Sequence, residues 1–65
     1  MEDWISVEDR LPDIGVEVIV CDNYRDVYTD YRRKDNKDWN EPRKYIIDIY
    51  YTHWMPFPKP PKKIN

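Results

Sequence analysis

The chain has 65 residues, of which 37% are charged and 15% aromatic, and its formal net charge is -2. That length admits one small domain, which buries only about 60% of the surface its unfolded chain exposes. A single cysteine excludes an intrachain disulfide, and a single glycine excludes the glycine-rich loops that cradle phosphates.

A mean hydropathy of -1.01 would suit disorder. The three Trp, six Tyr and one Phe argue otherwise, because disordered chains are poor in rings that remove large apolar areas from water. Dimerisation is an ordinary way to support so small a core.

In chain order, Trp4-Ile5-Ser6 reads as a short extended start. Ser6-Val7-Glu8-Asp9 has the spacing of a capping box, and one helical turn follows before Pro12 stops it. Pro12-Asp13-Ile14-Gly15 is a turn, with proline presetting φ and glycine free to take φ > 0. Val16 to Cys21 is the first clear strand, with Val16, Val18 and Val20 on one face. Asp22-Asn23 turns the chain. From Tyr24 to Arg33 alternation resumes, with Val27, Thr29 and Tyr31 opposite Tyr28, Asp30 and Arg32.

Lys34 to Arg43 is a polar loop around Trp39, and Lys44 to Thr52 is expected to be the third strand. In it Tyr45, Ile47, Ile49 and Tyr51 face one way and Ile46, Asp48, Tyr50 and Thr52 the other. Trp54-Met55-Pro56-Phe57-Pro58 is expected to leave the sheet. Four of the six prolines lie in Pro56 to Pro61, which predicts an extended polyproline tail rather than a peptide ligand. The prediction is a mainly β fold: a three- to four-stranded antiparallel meander with one short helical turn near the N-terminus. It occupies residues 1–58 and is followed by a Pro/Lys-rich extended tail over 59–65.

Two segments resemble a known family. Trp4-Ile5-Ser6-Val7 followed by Arg10-Leu11-Pro12 is similar to its opening pattern. Thr52-His53-Trp54-Met55-Pro56-Phe57-Pro58 is similar to its closing pattern, Thr-His-Trp-Met-Pro-Leu-Pro. With Val16 to Val20 between them, they resemble the domain of unknown function family 551, found in short proteins of tailed phages and prophages. The resemblance implies a phage or prophage origin and supplies no activity. Trp4, Ser6, Leu11, Pro12, His53, Trp54 and Pro56 are read as structural. Pairing of Trp4 with Trp54 would clip the N-terminal segment to the last strand, and Arg10 is expected to pair with a nearby carboxylate.

The chemistry available is sparse. One Cys and one His cannot build a structural zinc site within one chain, and no metal or cofactor is expected. A nucleophile–base pair would have to combine His53 with Ser6 or Cys21, and the Asp22 charge beside Cys21 disfavours a thiolate. No catalytic residue is assigned.

Charge is unevenly spread. Residues 1–31 carry nine acids and two bases, whereas residues 32–44 carry six bases and three acids. The plain reading is a solvated surface of mixed sign; the sharper one is an acidic face set against a basic partner.

Two functional readings follow. The first is a non-catalytic protein-binding module that modulates a host or defence protein, with surplus aromatics such as Tyr24, Tyr28, Trp39 and Tyr50 as anchors. The second is a binder of nucleotides or single-stranded nucleic acid through the loop 32–44, using Arg32, Arg33, Trp39 and Arg43. A pI of about 5.2 weighs against the second. The acidic start has no apolar core of a signal peptide, and the longest apolar run, Val18 to Cys21, cannot span a bilayer. These features predict a cytoplasmic protein, in the host cell if the resemblance holds, with no membrane partner.

Overall fold

The order of strands across the sheet explains how so few residues make a core. The computed structural model describes residues 3–41 and 48–60. Its four strands are β1 (Ile5–Ser6), β2 (Val18–Asp22), β3 (Val27–Asp30) and β4 (Tyr51–Met55). They form one antiparallel sheet in the order β1-β4-β2-β3. Strands β2 and β3 are a hairpin, as the alternation predicts. The last strand then crosses to the other side of β2, so the connectivity is not strand-by-strand. No helix occurs among the described residues. The expected helical turn is a single turn after β1, in which the Asp9 and Arg10 N–H groups both reach the Ser6 carbonyl. The Ser6 hydroxyl accepts from the Glu8 N–H at 3.1 Å, one residue earlier than a capping box requires.

β3 is shorter than the alternation from Tyr24 to Arg33 suggests, and the cause is Asp22. Its carboxylate accepts the Tyr24 and Asp26 N–H groups, at 2.8 and 3.0 Å, and the Tyr28 hydroxyl at 2.9 Å. The chain is thereby held in a three-residue hairpin loop whose last residue, Arg25, is left-handed with φ 70. A second turn follows β3. Arg32 bridges Trp39, and Lys37 takes φ 59 to close the loop between them.

The last strand departs most from the sequence expectation. It runs from Tyr51 to Met55, so Trp54 and Met55 lie inside the sheet rather than beyond it. Asp48 to Tyr50 are in no strand, and the rest of the expected strand, residues 44–47, lies outside the described residues. The register supplies the reason. Cys21 pairs His53 while Asp22 pairs Tyr51, which leaves Thr52 as the extra residue of a β-bulge. The bulge turns both Tyr51 and Trp54, three positions apart, toward the core. Pro56 then ends the pairing, because it has no N–H to give.

One face of the sheet is packed. Val18 and Val20 are 1% and 0% exposed, and they join buried Tyr51 and Trp54, with Ile5, Val7, Tyr28 and Trp39 packed around them. Two aspartates are buried on the same face. Asp30 accepts the Tyr51 hydroxyl at 2.8 Å and the N–H groups of Tyr31 and Glu41. Asp22 holds the hairpin, so both carboxylates are hydrogen-bonded as burial requires.

The N-terminal clip exists, but the two indoles do not make it. Ile5 pairs Trp54, and alternation sends the neighbouring Trp4 to the opposite face. Trp54 is held from the N-terminal side by Arg10. Its indole N–H donates to the Arg10 carbonyl at 2.9 Å, and the Arg10 guanidinium lies 5.6 Å over its ring. Arg10 therefore stacks on an aromatic ring where a carboxylate was expected.

Candidate functional site

The bulge also shapes the outer face. Thr52 and His53 follow one another on that side, with Cys21 opposite His53 across the strand pair. The Thr52 hydroxyl donates to the Cys21 carbonyl at 3.3 Å, and its oxygen lies 2.9 Å from His53 Nδ1. In the tautomer that lets the hydroxyl proton serve the carbonyl, Nδ1–H is the donor to Thr52. In a neutral ring that leaves Nε2 as an acceptor. It has no hydrogen-bond partner among the described residues.

Around this relay lies an open cleft of about 450 Å³. Trp4 and Tyr50 give it aromatic walls, Cys21, Asp22, Thr52 and His53 line it below, and Asn23 and Arg25 form the rim. Asn23 sets the rim by a two-way staple. Its side-chain amide donates to the Asp48 carbonyl at 2.8 Å and accepts the Tyr50 N–H at 3.0 Å, while its own N–H reaches the Tyr50 carbonyl. The Tyr24 hydroxyl bonds to the Asp48 carboxylate on the outside of the same staple and is held protonated above its usual range by that bond. The Arg25 guanidinium has no hydrogen-bond partner among the described residues. Burial first, and then the Asp22 charge, raises the Cys21 thiol pKa, with Arg25 pulling the other way. The thiol is thus protonated at neutral pH.

The residues expected to bind do not line one cleft, although Arg32 and Trp39 pair across the second turn. Arg32 donates to the Pro12 carbonyl at 2.9 Å and to the Lys37 carbonyl, tying buried Pro12 to the second turn. Trp39 packs edge-on against Tyr51 with ring centroids 5.0 Å apart. Tyr28 is half-buried on Asp22. Arg33 makes a two-pronged pair with Asp35, which raises the arginine pKa and lowers that of the carboxyl. It borders a shallower hollow of about 390 Å³ with Tyr31, Lys34 and Asn40. Arg43 lies outside the described residues. Only Tyr50 stands at the cleft. Of the residues read as structural, Ser6 and Pro12 hold the fold, Leu11 and Pro56 are exposed, and Trp4 and His53 line the cleft. The alternation of an unbulged strand would not have revealed the cleft, and nothing in the local sequence marks Arg25.

The molecule is a one-layer antiparallel β domain with a packed face and a cleft-bearing face. The chain belongs to the DUF551 family of proteins of unknown function, whose sequence profile matches residues 3–62. No curated protein and no solved structure matches it. Among the described residues no group of three or more His, Cys, Asp and Glu could hold a metal ion, and no helix is long and apolar enough to cross a membrane.

Proposed function

We propose that the chain is a non-catalytic protein-binding module of a phage or prophage, acting in the host cytoplasm on a host or phage protein. The observation that carries this reading is the outer face of the sheet. Its strand positions are Ser6, Ile19, Cys21, Val27, Thr29, Thr52, His53 and Met55, flanked by Trp4, and none is an Asp, Glu, Lys or Arg. Val27 is 58% exposed at its edge. A charge-depleted, half-apolar surface of this kind suits the centre of a protein interface. The phage setting rests on the family resemblance.

The non-catalytic part rests on the same geometry. The Ser6 hydroxyl is engaged by the Glu8 N–H, and the Cys21 thiol is held protonated, so neither nucleophile is activated. Binding through the loop 32–44 is the weaker reading, because Arg32 and Trp39 are taken up by internal contacts.

The test is affinity capture from host lysate with wild type and with Val27→Asp, followed by nuclear magnetic resonance mapping with the purified partner. A partner lost on Val27→Asp, with shifts confined to the outer positions, supports the reading. Equal capture by both proteins, or shifts centred on residues 31–40, overturns it.

A further inference from the structure

We infer that the cleft beside His53 is a binding site for a mononucleotide-like ligand: a flat heteroaromatic ring with an N–H donor, joined to one phosphate. This does not rest on the protein-binding reading, although the cleft shares Trp4, Cys21 and His53 with that surface.

The argument is one of complementarity. At about 450 Å³ the cleft falls within the span of small-ligand sites, about 300–1,000 Å³. Its walls are two rings, Trp4 and Tyr50, and Tyr50 is 63% exposed. A flat ring stacks on such walls with little demand for sequence-specific contacts. Three polar groups of the lining side chains have no hydrogen-bond partner among the described residues, and one of them, the hydroxyl of the exposed Tyr50, is open to water. The second is Nε2 of His53, an acceptor in the tautomer whose Nδ1–H donates to Thr52. The third is the Arg25 guanidinium. The Asn23 amide and the Thr52 hydroxyl are already engaged. A ligand that satisfies the imidazole and the guanidinium brings a donor and an anion, with an apolar ring for the aromatic side chains.

The surrounding charges set the size of the anion. Arg25 is the only cation among the described residues that line the cleft. The Asp22 carboxylate points inward and is saturated by its hairpin donors, whereas Asp26 follows Arg25 directly and Asp48 lies behind the Asn23 staple. One phosphate is matched by one guanidinium. A triphosphate would meet the carboxylates of Asp26 and Asp48 without further cations.

Arg25 also offers an unusual test. Its φ of 70 favours glycine, so Arg25→Gly removes the cation while relaxing the backbone. The experiment titrates AMP, ATP, adenosine, inorganic phosphate and a ten-residue oligothymidylate into the full chain at low salt, following tryptophan indole resonances. The expected result is that AMP moves the Trp4 and not the Trp39 signal. Adenosine, ATP and phosphate should bind at least about tenfold more weakly than AMP, as loss of a charge-assisted contact or added repulsion implies. Arg25→Gly should weaken AMP about tenfold with an unchanged or higher melting temperature, and His53→Ala should weaken it similarly while the sheet's circular dichroism is kept. Equal AMP affinity in Arg25→Gly, no Trp4 shift at millimolar AMP, or preferred binding of the oligonucleotide would each overturn the inference.

Discussion

The two faces of the sheet treat their polar groups in opposite ways. On the inner face every buried side-chain polar atom among the described residues has a partner, and the two aspartates are each surrounded by three donors. On the outer face the Thr52 relay stops at His53 Nε2, and Arg25 reaches the rim unengaged. The inner face spends its chemistry on folding, and the outer face leaves some of its own unengaged. Substitutions on the two faces should therefore separate stability from binding.

The largest break is expected at Trp54. Trp54→Ala should cost about 3–5 kcal/mol, since it removes a buried ring and its bond to Arg10. A domain of this size has a total stability of only about 3–10 kcal/mol. Urea unfolding followed by circular dichroism should show a chain unfolded or nearly so in buffer.

Asp30→Ala comes next. It takes the acceptor from the N–H groups of Tyr31 and Glu41, at about 1–3 kcal/mol for each left unpaired, while the Tyr51 hydroxyl keeps the Glu41 carbonyl. Asp30→Asn keeps an acceptor and should lose less in the same measurement. Arg25→Gly reverses the sign, stabilising by about 1 kcal/mol because a left-handed non-glycine residue is relieved. A higher urea midpoint at unchanged slope checks it. Val27→Thr, at an exposed outer position, should stay within about 0.5 kcal/mol of wild type.

The smallest effect concerns pH. The Cys21 thiol has its pKa raised in the folded state, so the fold binds that proton more tightly than the unfolded chain does. Its stabilising contribution is complete below the ordinary thiol range and fades as pH rises through it. Alkylation of the native protein near pH 8.5 should run slower than that of the urea-unfolded chain, and Cys21→Ala should flatten the alkaline end of the stability profile.

Much of this architecture was legible. The two-residue period of Val18 and Val20, the Asp22-Asn23 turn and the Gly15 turn at φ 83 are written locally. The bulge at Thr52 was not, because strand alternation has no mark for an inserted residue, and it displaced the expected strand and the faces assigned to it. Asp22 and Asp30 read as surface groups until the hydroxyls of Tyr28 and Tyr51 are placed beside them. Trp39 looked like a free anchor in a polar loop. It became a packing residue only when the Arg32 bridge brought it back to Tyr51. The cleft needed all of these, since its residues come from five separate stretches of chain.

The bond between Trp54 and Arg10 spans 44 residues. That separation sets an order of events in time. The β2–β3 hairpin closes a short loop and can form early, whereas β1 has nothing to pair with until β4 exists. During synthesis the segment that holds β1 must wait, without its strand partner, until the residues of β4 are made. The final docking of that segment is then the step that commits the domain to its native state.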